Sequence, residues 1–219
     1  MCWILELIGK RRLVAASPYA AASMILAAAA AVRGLERSRA VVLIDGGGFK
    51  VEVLENLGGP SVLGRILVTR DVPGEGPGDP IVAYNAGLFL HLIPSDRILM
   101  ATVERLEEVP RHLRRYVVRV QRLSGHTYLL RLGRQACLAE IRASGITPLR
   151  PRGYEARALS LLSRASVEYG PLTVRDAVDI LSSELGVNRR RARSIIIGLA
   201  RKKLVVVEKG QVLVEYSIS

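Results

Sequence analysis

Cysteine, histidine and aromatic residues are scarce in this chain of 219 residues, which has two cysteines, three histidines, one tryptophan and two phenylalanines. Cys2 and Cys137 lie far apart and lack the paired spacing of a zinc site or a disulfide framework. We therefore expect two buried apolar cysteines, no structural metal and a reducing, cytoplasmic environment. His91, His112 and His126 have no paired spacing either, so they predict no metal site.

The motifs of common enzymes are also absent. The sequence contains no nucleophile elbow, no phosphate-binding loop and no dinucleotide fingerprint. Gly46, Gly47 and Gly48 follow Asp45, but an apolar run typical of a strand comes next, where a phosphate loop would need a helix. We assign no catalytic residue, no cofactor and no metal ligand.

One group of acids is the alternative to that assignment. Asp71, Glu75 and Asp79 lie four residues apart in segment 71–80, and Asp45 or Asp96 would complete a Mg²⁺ site for a nuclease or a phosphoryl-transfer enzyme. Three prolines and three glycines interrupt regular structure in this segment, so nothing forces its acids together. We expect ordinary solvated loop acids.

Long runs of strongly lipophilic residues are missing as well. The main apolar stretch, 13–32, is mostly alanine and follows three basic residues, a pattern also found in signal peptides and membrane spans. Alanine is much less lipophilic than leucine, however, and Ser17, Pro18 and Gly34 are typical start and stop residues of a soluble helix. We predict a buried helix over 18–33 and no membrane partner.

Lysine is the rare basic residue, with five lysines among 32 basic side chains. Such a preference for arginine is typical of thermophiles or of GC-rich genomes. The net charge of +12 favours a polyanionic partner, of which nucleic acid is the commonest. The charge is uneven: −1 over residues 1–110, +9 over 111–152 and +4 over 153–219.

Residues 1–148 mix strand and helix patterns, which predicts an α+β domain that resembles no family we recognise. Asp45-Gly46 separates two apolar runs, a strong signal for a β-hairpin. The remaining patterns predict regular elements at these positions: strands at 2–8, 40–44, 49–54, 65–69 and 127–132, and helices at 18–33, 95–106, 110–123 and 134–143.

The basic centre, 111–152, has two interpretations that the sequence leaves open. Leu113, Tyr116 and Val120 lie at helical spacing within 110–123, and arginines fill the rest of that surface. The arginines would either follow a phosphate backbone or simply face solvent. Binding of acidic lipid by a basic amphipathic helix is a weaker alternative.

The segment 146–153 contains two prolines and predicts the boundary between domains at 1–148 and 152–219. After it come a helix from Tyr154, a second helix capped by Thr173, a short turn with Gly186, a third helix capped by Asn188 and two strands around 208–211. This order of elements resembles that of the winged helix-turn-helix superfamily over residues 154–216. The resemblance covers under a third of the chain and implies a domain that binds double-stranded DNA.

The third helix, 189–202, supports that resemblance through its own periodicity. At about 100° per residue, Ala192, Ile195, Ile196 and Leu199 share one face, whereas the opposite face carries arginines and Ile197. In the superfamily this helix enters the major groove, where arginine reads guanine and lysines contact phosphates. The side chains predicted to contact DNA are Arg189, Arg190, Arg191, Arg193, Ser194, Arg201, Lys202, Lys203 and Lys209.

The sequence thus favours a cytoplasmic, non-enzymatic DNA-binding protein that regulates transcription. Residues 1–148 would supply dimerisation, ligand sensing or a protein partner. Two hypotheses from other classes remain: a metal-dependent nucleic-acid-processing enzyme that uses the winged helix to hold its substrate, and a subunit of the transcription or replication machinery whose winged helix docks on protein.

Overall fold

The computed structural model describes residues 3–74, 78–133, 135–149, 153–202 and 204–214. The chain divides into two compact units. The N-terminal unit contains 3–133 and 138–148, and the C-terminal unit contains 149–214 with 135–137. The division close to residue 148 lies inside the predicted boundary segment, and the chain contains both helices and strands, as the α+β expectation requires.

A large sheet forms the centre of the N-terminal unit. Its strands, in chain order, are β1 (Leu13–Ala16), β2 (Val41–Asp45), β3 (Ile66–Thr69), β4 (Ile81–Tyr84), β5 (Ile98–Val103), β6 (Val117–Ser124), β7 (Thr127–Leu132), β8 (Gln135–Arg142) and β9 (Gly145–Leu149). They lie side by side in the order β3-β2-β4-β5-β1-β6-β7-β8-β9. The six from β3 to β6 are parallel, and β7 then pairs antiparallel to β6.

Helix α2 (Ala20–Gly34) covers one face of the parallel strands and packs on β2, β4 and β5. It follows a short helix α1 (Trp3–Leu7) and precedes α3 (Glu52–Gly58), which packs on α2. Most of its alanines are fully buried, because small side chains let the helix backbone approach the sheet closely. No helix in the described residues is long and apolar enough to cross a membrane.

The opposite face of the sheet is covered by short 3-10 turns instead of long helices. Turns at Leu90–Leu92 and Arg111–Tyr116 place Leu90 and Leu113 against alternate residues of the strands, such as Val14, Ile44 and Ala83. Both faces of the inner parallel strands β1, β2, β4 and β5 are therefore buried, as parallel sheets require.

The predicted hairpin around Asp45 is wrong. Strand β2 is present, but its neighbours are the parallel strands β3 and β4, which leaves no edge of β2 free for a hairpin partner. The Asp45 carboxylate instead accepts hydrogen bonds from the N–H groups of Gly47, at 2.8 Å, and Phe49, at 3.1 Å, and the chain continues into α3. Gly46 is required for close approach, since a Cβ there would lie 2.1 Å from the carbonyl oxygen of Asn85.

Four other predicted elements differ in type from those observed. The predicted strand at 2–8 is α1 over its described part, whereas the predicted helices at 95–106 and 134–143 contain β5 and β8. The predicted helix 110–123 is a 3-10 turn followed by β6. For 95–106 the cause is that β5 is apolar at nearly every position and buried on both faces, so a helical spacing can be found in it by chance.

Two smaller expectations also fail. Tyr19, and not Ser17, is the residue before α2, and it provides no side-chain cap. Cys137 is buried as expected, but it is disulfide-bonded, which corrects the expectation of two simple apolar cysteines. Cys2 lies outside the described residues.

The C-terminal unit contains three helices and a small sheet in its described part. The helices are α4 (Gly153–Tyr169), α5 (Val174–Leu185) and α6 (Arg189–Arg201). The strands β10 (Leu172–Thr173), β11 (Val205–Glu208) and β12 (Gln211–Val214) form an antiparallel sheet with β12 in the centre. Its core includes Leu162, Leu181, Leu199 and Val212, each fully buried.

The close packing of α2 predicts a sharp difference between two alanines of one helix. Ala27→Leu, at a fully buried position, should lower the free energy of unfolding by about 1–3 kcal/mol because the added carbons have no space. Ala21→Leu, at an exposed position of the same helix, should change it by no more than about 0.5 kcal/mol. Urea unfolding followed by circular dichroism measures both, and equal effects would contradict the packing described above.

Candidate nucleic-acid interface

Helix α6 begins and is oriented by two local signals. Gly186 ends α5 with φ 63°, a left-handed conformation that suits glycine, and Asn188 then caps α6 by accepting a hydrogen bond from the N–H of Arg191 at 2.8 Å. Only Gly186, Val187 and Asn188 separate the two helices. A turn of this length with a glycine is typical of helix-turn-helix pairs.

The two faces of α6 are those predicted. Ala192, Ile195, Ile196 and Leu199 are buried in the core of the unit. On the other side every predicted polar contact residue of the helix is exposed: Arg189, Arg190, Arg191, Arg193, Ser194 and Arg201. Ile197 lies among them and is 53% exposed.

Ion pairs link both ends of α6 to the neighbouring helices. Arg189 pairs with Asp179 of α5, and the ammonium of Lys202 lies 2.6 and 2.8 Å from the two carboxylate oxygens of Glu155 of α4. These two cations therefore have carboxylate partners within the unit. Within the described residues, no ion pair involves Arg190, Arg193 or Arg201, so their charges are available to a partner from outside.

The helix before α6 begins with a capping box at Thr173, the residue that the sequence predicts as its cap. The Thr173 hydroxyl accepts from the N–H of Asp176 at 3.1 Å, and the Asp176 carboxylate accepts from the N–H and the hydroxyl of Thr173. These hydrogen bonds hold the pKa of Asp176 below its ordinary value. The capping box starts α5 at a defined residue, and α5 in turn supports α6.

The hairpin at the end of the unit carries Lys209 at its tip. Lys209 has φ 50° and Gly210 φ 76°, the two successive positive values that a tight two-residue hairpin turn needs. Lys209 is exposed, as a residue that contacts phosphates must be. Lys203, also predicted to contact phosphates, lies outside the described residues.

Sequence reasoning missed strand β10, which pairs with β12 next to the capping box. Two residues are too short a run for any periodic signal. The one available indication was the apolar Leu172 between Pro171 and the cap residue Thr173, and Leu172 is buried.

The arginines between 111 and 122 in the basic centre lie on a turn and a strand instead of a helix. Arg119 and Arg122 are exposed on β6. Arg119 lies between the buried residues Val118 and Val120. Arg115 stacks over the ring of Tyr116, with its guanidinium carbon 4.8 Å from the ring centre. These contacts fit both interpretations of the segment.

Within the described residues, no group of three or more His, Cys, Asp or Glu side chains could hold a metal ion. Asp45, one of the acids considered for Mg²⁺, accepts hydrogen bonds from its own turn instead. Glu75 lies outside the described residues. Comparisons of the chain with protein-family models, with curated proteins and with solved structures found no match.

The capping box predicts how stability depends on pH. Because Asp176 has a lowered pKa in the folded protein, its ionised form stabilises α5 at neutral pH, and this contribution is lost as the pH falls through that lowered pKa. Asp176→Asn should therefore be less stable than wild type at pH 7, with the difference shrinking in acid. Thermal unfolding across a pH series measures it.

The control for this measurement is Glu208→Gln, which removes an exposed carboxylate that makes no hydrogen bond or ion pair within the described chain. A Glu208→Gln variant with the same pH dependence as Asp176→Asn would show that general charge, and not the capping box, is responsible.

Proposed function

We propose that residues 153–214 form a winged-helix domain that binds double-stranded DNA by inserting α6 into the major groove. The single observation that carries this proposal is the outer face of α6, where Arg190, Arg193 and Arg201 are exposed and have no carboxylate partner in the described chain. Its opposite face is anchored in the core by four apolar residues, so the arginines are presented from a fixed helix.

The dimensions of this face suit a groove. At 1.5 Å per residue, Arg190 and Arg201 are separated by about 16 Å along the helix axis. This is close to the length of five base pairs at 3.4 Å each, so one helix can place arginines at both ends of a half-site. Arginine's planar fork of donors fits either the edge of guanine or a phosphate.

The remaining predicted contacts have different tasks in this proposal. Arg189 and Lys202 orient α6 through Asp179 and Glu155, so their role in binding DNA is secondary to their role within the unit. Lys209 at the hairpin tip would contact the phosphate backbone beside the groove. Regulation of transcription is the function that we propose for such a domain attached to a separate N-terminal unit.

Binding to random duplex DNA over a series of salt concentrations tests the proposal. Each phosphate contact contributes about 0.9 to the slope of log K against log salt. The variant with Arg190, Arg193 and Arg201 all changed to Ala should lose about two to three units of slope together with most of its affinity, because these side chains would release counterions on binding.

The matched control changes Arg11, Arg39 and Arg70 to Ala, which removes the same charge from exposed positions of the N-terminal unit. It should bind nearly as wild type does. Equal losses in the two triple variants would mean that net charge alone drives binding, and full binding by the α6 variant would exclude the proposed helix.

Ile197 provides a separate prediction about sequence preference. An aliphatic side chain in the major groove can contact the methyl group of thymine. Ile197→Ala should therefore weaken binding to the preferred site, obtained by selection from random sequences, by about fivefold to tenfold, while leaving the salt slope unchanged. Ser194→Ala on the same face is the comparison, and a changed slope for Ile197→Ala would contradict this role.

A further inference from the structure

The N-terminal unit has a cavity of about 270 Å³ at the carboxyl ends of its parallel strands. Ser17 and Pro18 line it after β1, Tyr84 and Asn85 at the end of β4, and Glu104 after β5. Ligands of open parallel sheets bind at this edge, where successive connections leave in opposite directions. Here the chain leaves β1 towards β2 in one direction across the sheet, whereas it leaves the neighbouring strand β5 towards β6 in the opposite direction.

Helix α2 brings its first turn to this cavity. Ala20 and Ser23, one turn apart, both line it. The first N–H groups of a helix have no acceptor within the helix, and Tyr19 supplies no side-chain cap for them. This end of a helix of 15 residues therefore favours an anionic group such as a carboxylate.

Ser23 gives an independent indication of a ligand. Its side chain is 5% exposed, and its hydroxyl oxygen has no hydrogen-bond partner among the described residues. A buried hydroxyl without a partner is costly, and a bound ligand or water can supply the partner. Because Ser23 lines the cavity, an occupant can supply the missing hydrogen bond.

The charges around the cavity select the kind of occupant. Among the described residues that line it, Glu104 is the only charged one, and no ion pair of Glu104 is found there. A carboxylate attracts an ammonium group, while the helix end attracts a carboxylate. Tyr84 stays a neutral donor, because burial and the nearby Asp45 carboxylate raise its pKa.

The volume limits the occupant to a small molecule, since pockets for drug-sized ligands measure about 300–1,000 Å³. A nucleoside triphosphate is disfavoured on charge as well, because none of the lysines and arginines that the structure describes lines the cavity and the loop between β1 and α2 lacks glycine. Pro18, Ala20 and Val103 add apolar surface that can accept an aliphatic side chain.

We propose that this cavity binds a free α-amino acid with an uncharged side chain, with its carboxylate at the first turn of α2 and Ser23 and its ammonium group at Glu104. The site gives the N-terminal unit a ligand-binding role that is independent of DNA binding by the C-terminal unit.

Thermal-shift and calorimetric titrations of the full chain with each of the twenty amino acids singly test this proposal. At least one should raise the melting temperature, as a ligand of the folded state must. The analogues of that amino acid without its amino group or without its carboxylate should each bind at least about tenfold more weakly, a difference that corresponds to one charged contact. Failure of all twenty, equal binding of either analogue, or tighter binding of ATP with Mg²⁺ or of inorganic phosphate would overturn the proposal.

Two variants locate the site. Ser23→Ala and Glu104→Gln should each weaken binding of that amino acid by about tenfold. Ser23→Ala should not lower the melting temperature of the unliganded protein, because it removes an unpartnered hydroxyl. The matched control is Ser182→Ala in the C-terminal unit, whose hydroxyl is likewise buried without a partner in the described chain. It should leave amino-acid binding unchanged, and unchanged binding by both Ser23→Ala and Glu104→Gln would place the ligand elsewhere.

Discussion

Burial of the parallel strands on both faces is the constraint on which the N-terminal unit depends. Strands β1, β2, β4 and β5 contain almost only apolar residues, and neither face can be left to water. Helix α2 covers one face at close range with alanines, and short turns carrying Leu90 and Leu113 cover the other. The N-terminal end of α2 is thereby fixed at the carboxyl ends of the strands, where the cavity lies.

In the C-terminal unit, local signals start and stop each helix, and the packing of apolar residues in the core then orients α6. The capping box of Thr173 and Asp176 starts α5, Gly186 ends it, and Asn188 starts α6. The basic residues at the two ends of α6 then form ion pairs with carboxylates of the same unit. The arginines between them form no ion pair in the described residues, so the helix separates cations held by carboxylates from cations that have no such partner.

The C-terminal helices and hairpin could be predicted because each has a cue within a few residues. An amide or hydroxyl side chain caps a helix over three residues, a glycine takes the positive φ that ends it, and Lys209-Gly210 closes a hairpin. The same reasoning failed for 49–54 and 95–106. Asp45 and its glycines fit a hairpin turn as well as they fit the observed turn into α3, and β5 has apolar residues at both helical and strand spacings.

The exposed face of α6 was predictable from periodicity alone. Which of its basic residues form ion pairs within the unit was not. Nothing in the sequence indicates that Lys202 meets Glu155, which is 47 residues earlier in the chain. The cavity is a similar case, since Ser17, Tyr84 and Glu104 come from separate parts of the sequence and meet only where β1, β4 and β5 end.

The sequence by itself therefore determined the caps, turns and apolar faces of the C-terminal helices, because those depend on interactions over three or four residues. Tertiary structure decided the parallel order of the strands, the ion pairs of α6 and the cavity beside α2, because each of these brings together residues that are far apart in the sequence. The residues of one strand do not specify which strands lie beside it.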